Sequence, residues 1–116
     1  MSKQLRITRS DAVRALHRER LWRGQYFFPQ GTSDGTDEGD VTYPGACCAV
    51  GAILRGAGYR GENNTAVAEL VARTPLLREL SSAFERCTEA SERKEVAARF
   101  VAERFPDVLD VEVLEP

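Results

Sequence analysis

The sequence predicts an α+β fold. Four or five helices pack with a small two- or three-stranded antiparallel sheet around a central buried helix at 46–55. Three observations carry this. Residues 46–54, ACCAVGAIL, contain no charged or amide side chain, and a helix apolar all round is a buried helix. Four further segments repeat apolar residues at helical spacing, each beside a cap or stop signal. The last ten residues, DVLDVEVLEP, alternate, with Leu109, Val111 and Val113 on one face and Asp110 and Glu112 on the other, as in a half-buried strand. At 116 residues the chain is expected to be one domain.

Thr8 and Asp11 have capping-box spacing, so the first helix is predicted from about Arg9 to Trp22, stopped by Gly24. Its stripe is Val13, Leu16, His17, Arg20 and Leu21. QYFF at 25–28 reads as a short strand ended by Pro29, and 29–40 reads as a loop rich in Gly, Ser, Thr and Asp. VTY at 41–43 is expected to close a hairpin onto Tyr26–Phe28. Pro44 and Gly45 open the second helix, Ala46 to Arg55, with Gly56 and Gly58 at its end.

Asn64 is the expected cap of a third helix with Val67, Leu70 and Val71 on one face. Thr74 followed by Pro75 starts a fourth, with Leu77, Leu80, Phe84 and Cys87 inward. Ser91 caps a fifth, striped by Val96, Ala97, Phe100, Val101 and Phe105 and stopped by Pro106. The terminal strand needs a partner, and Tyr26–Phe28 is the expected one.

Net charge is −2, which selects neither a nucleic acid nor a membrane. No 18-residue apolar run is present, so no membrane span is expected. The N-terminus lacks the apolar core of an export signal, so a cytoplasmic setting and three free thiols are the expectation. The charge is segregated. Residues 1–23 carry seven basic and two acidic side chains, net +5, while 34–40 and 107–116 are each net −4. The preferred reading sets the basic helix beside its own acidic tail.

Cys47 stands near a predicted helix start, where a dipole favours thiolate. An enzyme would use Cys47 as nucleophile with His17, the one histidine, as base. The apolar surroundings favour small residues in a core instead. The Cys47–Cys48 pair lacks zinc-knuckle spacing, so no metal or other cofactor is expected. Asp34, Glu38, Gly39 and Asp40 partly fit a calcium loop, but Gly45 stands where a bidentate Glu belongs. Arg14 and Arg18, four apart, offer contacts to phosphates. Trp22 and Tyr26 belong to an aromatic cluster of the kind that anchors interfaces.

ALHRERLWRGQYFFPQG followed by ACCAVGAILRGAG resembles a loose group of small phage and prophage proteins. Their first helix leads past a Gly-x-Tyr element to a Cys-Cys-x-x-Gly helix. The matching residues are Gly24, Tyr26, Cys47, Cys48 and Gly51. The resemblance covers about half the chain and implies a phage-type accessory protein, with no functional residue attached.

The expected function is a non-enzymatic protein-interaction module that binds a host or phage macromolecule. Its candidate binding residues are Arg14, Arg18, Trp22, Tyr26, Asp34, Asp37, Glu38 and Asp40. A Cys47/His17 hydrolase or transferase, and a nucleic-acid binder using the basic first helix, are the alternatives.

Overall fold

The computed structural model describes residues 2–22, 24–28 and 45–114. In chain order the elements are β1 (Ser2–Thr8), α1 (Arg9–Arg18), β2 (Phe27–Phe28), β3 (Ala46–Cys47), α2 (Ala49–Gly56), α3 (Asn64–Arg73), α4 (Pro75–Arg86), α5 (Ala90–Arg104) and β4 (Val108–Leu114). This is the predicted α+β arrangement, with two separate two-stranded antiparallel sheets among the described residues, β1–β4 and β2–β3.

The terminal strand does not pair with Tyr26–Phe28. It pairs with β1, from Ser2 opposite Leu114 to Thr8 opposite Val108. Leu5 and Ile7 alternate inward exactly as Val111 and Val113 do, so two matched apolar rows meet across one sheet face. Arg6 pairs with Asp110 at 3.2 Å and Arg9 with Asp107 at 2.6 Å. The basic N-terminal segment thus lies against its own acidic tail.

Two helix boundaries move for one reason. The Cys47 N–H donates to the Arg20 carbonyl at 3.1 Å, and the Trp22 N–H donates to the Cys47 carbonyl at 2.8 Å. Cys47 also sits opposite Phe27 in the β2–β3 ladder. Residues 20–22 and 46–47 therefore run extended because they pair with each other, and tertiary pairing overrides local helix propensity. So α1 stops at Arg18 rather than Trp22, and α2 begins at Ala49 rather than Ala46.

The Thr8 cap forms as predicted, its hydroxyl accepting from the Asp11 N–H at 3.2 Å. Asn63, not Asn64, caps α3, and its side chain accepts from the Ala66 N–H. Thr74 and Pro75 open α4. Glu89, not Ser91, precedes α5. Gly58, at φ +104°, turns the chain after α2 in a conformation that disfavours a side chain.

The core holds Leu16 of α1, Val50, Ile53 and Leu54 of α2, Leu70 of α3, Leu77, Leu80 and Phe84 of α4, and Val101 of α5, all fully buried. Each such aliphatic or aromatic side chain contributes about 1.5–3 kcal/mol through area removed from water. The inward face of α5 is rotated from the expected stripe. Ala97, Val101 and Phe105 are buried, Val96 and Phe100 only half so, and Arg93 is buried. Arg93 Nε donates to the Cys87 carbonyl at 3.0 Å, and its guanidinium lies 5.9 Å from the centre of the Phe84 ring. It closes the C-terminal end of α4 from inside the core.

Candidate functional site

Cys47 lies on β3 and Cys48 caps α2, and both are buried free thiols. Burial pushes the Cys47 thiol up to about 12, against the opposing pull of Arg55. Burial pushes Cys48 up to about 12 as well, although the N–H groups of Gly51 and Val50 at the helix start favour its thiolate. Desolvation outweighs the nearby cations at Cys47 and the helix terminus at Cys48. Cys47 Sγ lies 4.0 Å from the Arg20 carbonyl and 3.6 Å from Arg55 Nη1. His17 is exposed on α1, and among the described residues no hydrogen bond joins it to Cys47.

The residues Tyr26, Cys47, Cys48 and Gly51 form one packing unit. The Cys48 N–H donates to the Tyr26 carbonyl at 3.0 Å. A Cβ on Gly51 would lie 2.2 Å from that same carbonyl oxygen, 3.0 Å from Cys47 Cβ and 3.2 Å from the Phe27 ring. The small residues let the Tyr26–Phe27 backbone lie directly on the start of α2.

Two residues that sequence reasoning passed over hold this unit. Asn64 Oδ1 accepts from the Phe27 N–H at 2.9 Å, while its Nδ2 donates to the Phe27 carbonyl at 3.2 Å. The amide thus imitates a strand neighbour for β2. Arg55 Nη1 donates to Glu19 Oε1 at 3.0 Å and to the Gly45 carbonyl at 2.5 Å, and the guanidinium lies 5.1 Å from the Phe27 ring centre. Neither position is distinguished by spacing. An Asn before an apolar run reads as a cap, and an Arg at a helix end reads as a solvated charge.

The more accessible feature is the face between α1 and α5. One open depression of about 680 Å³ is lined by Arg9, Ser10, Val13, Arg14, His17 and Ala102. A second, of about 540 Å³, shares Val13, His17 and Ala102 with it and continues along Ser91, Lys94, Glu95, Ala98 and Arg99. Val13, Ala98 and Ala102 make an apolar floor. Arg9, Arg14, Lys94 and Arg99 stand around it, with Glu95 the one carboxylate among the lining residues.

The stripe from Ser91 to Ala102 runs roughly 16 Å, three helical turns at 1.5 Å per residue. Lys94 Nζ donates to the carbonyls of His17 and Glu19 at 2.9 and 3.0 Å, which fixes α5 against the end of α1.

Of the predicted binding residues, Arg14 lines this groove and Arg18 stands at the end of α1, paired with Glu19 at 3.2 Å. Trp22 is half-buried. Tyr26 lines a different, smaller pocket of about 210 Å³ with Gly24, Gln25, Cys48, Ser81 and Glu85. The structure therefore does not gather these four on one surface. Asp34, Asp37, Glu38 and Asp40, and with them the calcium-loop reading and the strand expected at 41–43, lie outside the described residues.

Among the described residues no group of three His, Cys, Asp or Glu side chains is placed to hold a metal. No helix among them is long and apolar enough to cross a membrane. No family model matches the chain, and no significant match is found among curated proteins or solved structures. The functional reading rests on the geometry of the chain itself.

Proposed function

We propose that the chain is a non-enzymatic protein-interaction module whose α1–α5 groove receives an acidic amphipathic helix of a partner protein. The observation that supports this is the apolar floor of Val13, Ala98 and Ala102 ringed by Arg9, Arg14, Lys94 and Arg99. An amphipathic helix of about three turns fits such a floor through its apolar face. Its carboxylates then meet the basic rim.

Two of these cations have exposed internal partners. Arg14–Asp11 and Arg99–Glu95 are each 3.4 Å pairs with side chains 48% or more exposed. Such pairs contribute about 0–1 kcal/mol, so redirecting these two arginines to a partner costs little. A phosphate backbone would use the rim but leave the apolar floor unfilled, which favours protein over nucleic acid. The reading keeps the phage accessory role that the resemblance implies. Three free cysteines suit a reducing, cytoplasmic setting.

Selection from a displayed library of amphipathic helical peptides, with a DNA duplex as competitor, tests it. The expected winners are acidic. Their affinity falls about tenfold or more on Arg14→Glu or Ala102→Glu, while the melting temperature holds. Enrichment of basic peptides, displacement by DNA at equal affinity, indifference to both substitutions, or no enrichment contradicts the reading.

A further inference from the structure

The two edges of the β1–β4 sheet differ. The Arg9 N–H donates to the Asp107 carbonyl at 3.0 Å, one step beyond the Thr8–Val108 pair. That fixes the parity of the antiparallel ladder: Leu5 and Ile7 exchange main-chain bonds with β4, whereas the backbone groups of Gln4 and Arg6 point away from it. The same parity turns the backbone of Glu112 and Leu114 outward on the far side, and there the edge is covered. The Glu112 carbonyl accepts from Arg73 of α3, and the Leu114 carbonyl accepts from the Tyr59 hydroxyl at 3.1 Å.

On the β1 side, β4 is the sole strand neighbour among the described residues, and no hydrogen bond among them reaches the main chain of Gln4 or Arg6. A seven-residue strand with one guarded and one open edge is a template for a further strand.

We infer that the open edge of β1 pairs antiparallel with the same edge of a second copy of this chain, the two-fold axis passing beside Leu5. Only outward-facing residues can exchange bonds across the new seam, so even positions must meet even positions. The register centred on Leu5 meets that condition. It overlaps all seven residues of Ser2–Thr8 and sets Gln4 opposite Arg6 twice.

Shifting the axis to Gln4 or Arg6 shortens the overlap, and the latter stacks Arg6 on its own copy. In the Leu5 register each row across four strands reads Asp110, Arg6, Gln4, Glu112, since Arg6 already faces Asp110 and Gln4 faces Glu112. No like charges are adjacent in that row, and each arginine lies between a carboxylate and an amide. The isologous seam closes on itself and leaves only the guarded β4 edges outside.

Sedimentation equilibrium across a concentration series, with hydrogen exchange read at single amides, tests this. The expected species is a dimer in which the Gln4 and Arg6 amides exchange about tenfold or more slowly than exposed amides. Gln4→Pro removes an outward N–H that β4 does not use, so it should give a folded monomer. Gln4→Arg puts like charges opposite each other and should weaken the dimer about tenfold, and adding Arg6→Gln should restore it.

A chain that is monomeric throughout overturns the inference. So does a dimer that survives Gln4→Pro or leaves both amides unprotected, and so does a failure of the paired exchange to restore association. The groove on α1 and α5 is a separate surface. Its variants should leave the dimer intact, so failure of one reading is distinguishable from failure of the other.

Discussion

The α-carbon of Gly51 faces the Tyr26 carbonyl so closely that a Cβ there would lie 2.2 Å from the oxygen. The contact is to backbone, which cannot swing away, with the Cys47 Cβ of β3 and the Phe27 ring close beside it. The Cys47–Cys48 stretch is thereby explained by packing. The Cys47 and Cys48 thiols fill space around a backbone crossing that only glycine permits.

Gly51→Ala is therefore expected to destabilise the fold by about 2–4 kcal/mol through overpacking, at the upper end for an added methyl group. Chemical denaturation checks it. Ala52→Gly, one position along the same helix, should cost about 1 kcal/mol from helix propensity together with a modest loss from its buried methyl group. A Gly51→Ala variant no less stable than that control contradicts the close approach.

Asn64 binds both main-chain groups of Phe27, which is fully buried. Asn64→Ala leaves the Phe27 N–H and carbonyl unsatisfied and should cost about 1–3 kcal/mol. Asn64→Asp keeps the acceptor but loses the donor, so its cost should fall between wild type and Ala. An Asn64→Asp variant as stable as wild type would show that the amide donor contributes nothing, and one as unstable as Asn64→Ala that the acceptor contributes nothing.

Arg55 and Glu19 form a 3.0 Å pair with side chains 24% and 18% exposed, whereas Arg99 and Glu95 form a 3.4 Å pair at 64% and 74%. Double-mutant cycles should give a coupling of about 1–2 kcal/mol for the first pair, where the guanidinium is also held by Gly45 and Phe27. The second should give about 0.3–0.5 kcal/mol, and 1 M salt should abolish it. Similar values for both pairs would remove Arg55 as the organiser of this corner.

Burial raises both vicinal thiols from 9.0 to about 12. The folded state holds these protons after the unfolded chain has released them, so the unfolded state binds fewer protons between pH 9 and 12. Stability is then fully present below pH 9 and falls as pH rises towards 12, at about 1.4 kcal/mol per pH unit for each thiol. Urea titrations at stepped pH should show that fall, and Cys48→Ala should make it shallower. A flat profile above pH 9 contradicts the burial of the thiols.

Much of the fold was legible in the sequence because helices α3, α4 and α5 carry long apolar periodicity with local stop signals, and β4 alternates cleanly. Leu5 and Ile7 carry the same alternation in β1, but their basic neighbours and the capping pattern just after them read as the approach to α1. The errors at Cys47 and at the end of α1 have a different origin. Those residues are extended because of each other, across 27 positions of sequence, and no local pattern encodes such a pairing. The groove shared by α1 and α5 was half visible. Arg14 reads as a candidate contact, but His17 reads as part of the apolar stripe, and Ala98 and Ala102 look like any small residues until the two helices are set side by side.

The central claim is that the cysteine helix is architecture and that recognition lies on the outer surface. Thiol labelling of the native chain with a disulfide reagent, with the modified sites mapped by mass spectrometry, tests it most directly. The half-buried Cys87 should react first. Cys47 and Cys48 should react only at the rate of global unfolding and faster once denaturant is added. A Cys47 that reacts in the native chain faster than in the denatured one would contradict the account and return the segment to catalysis.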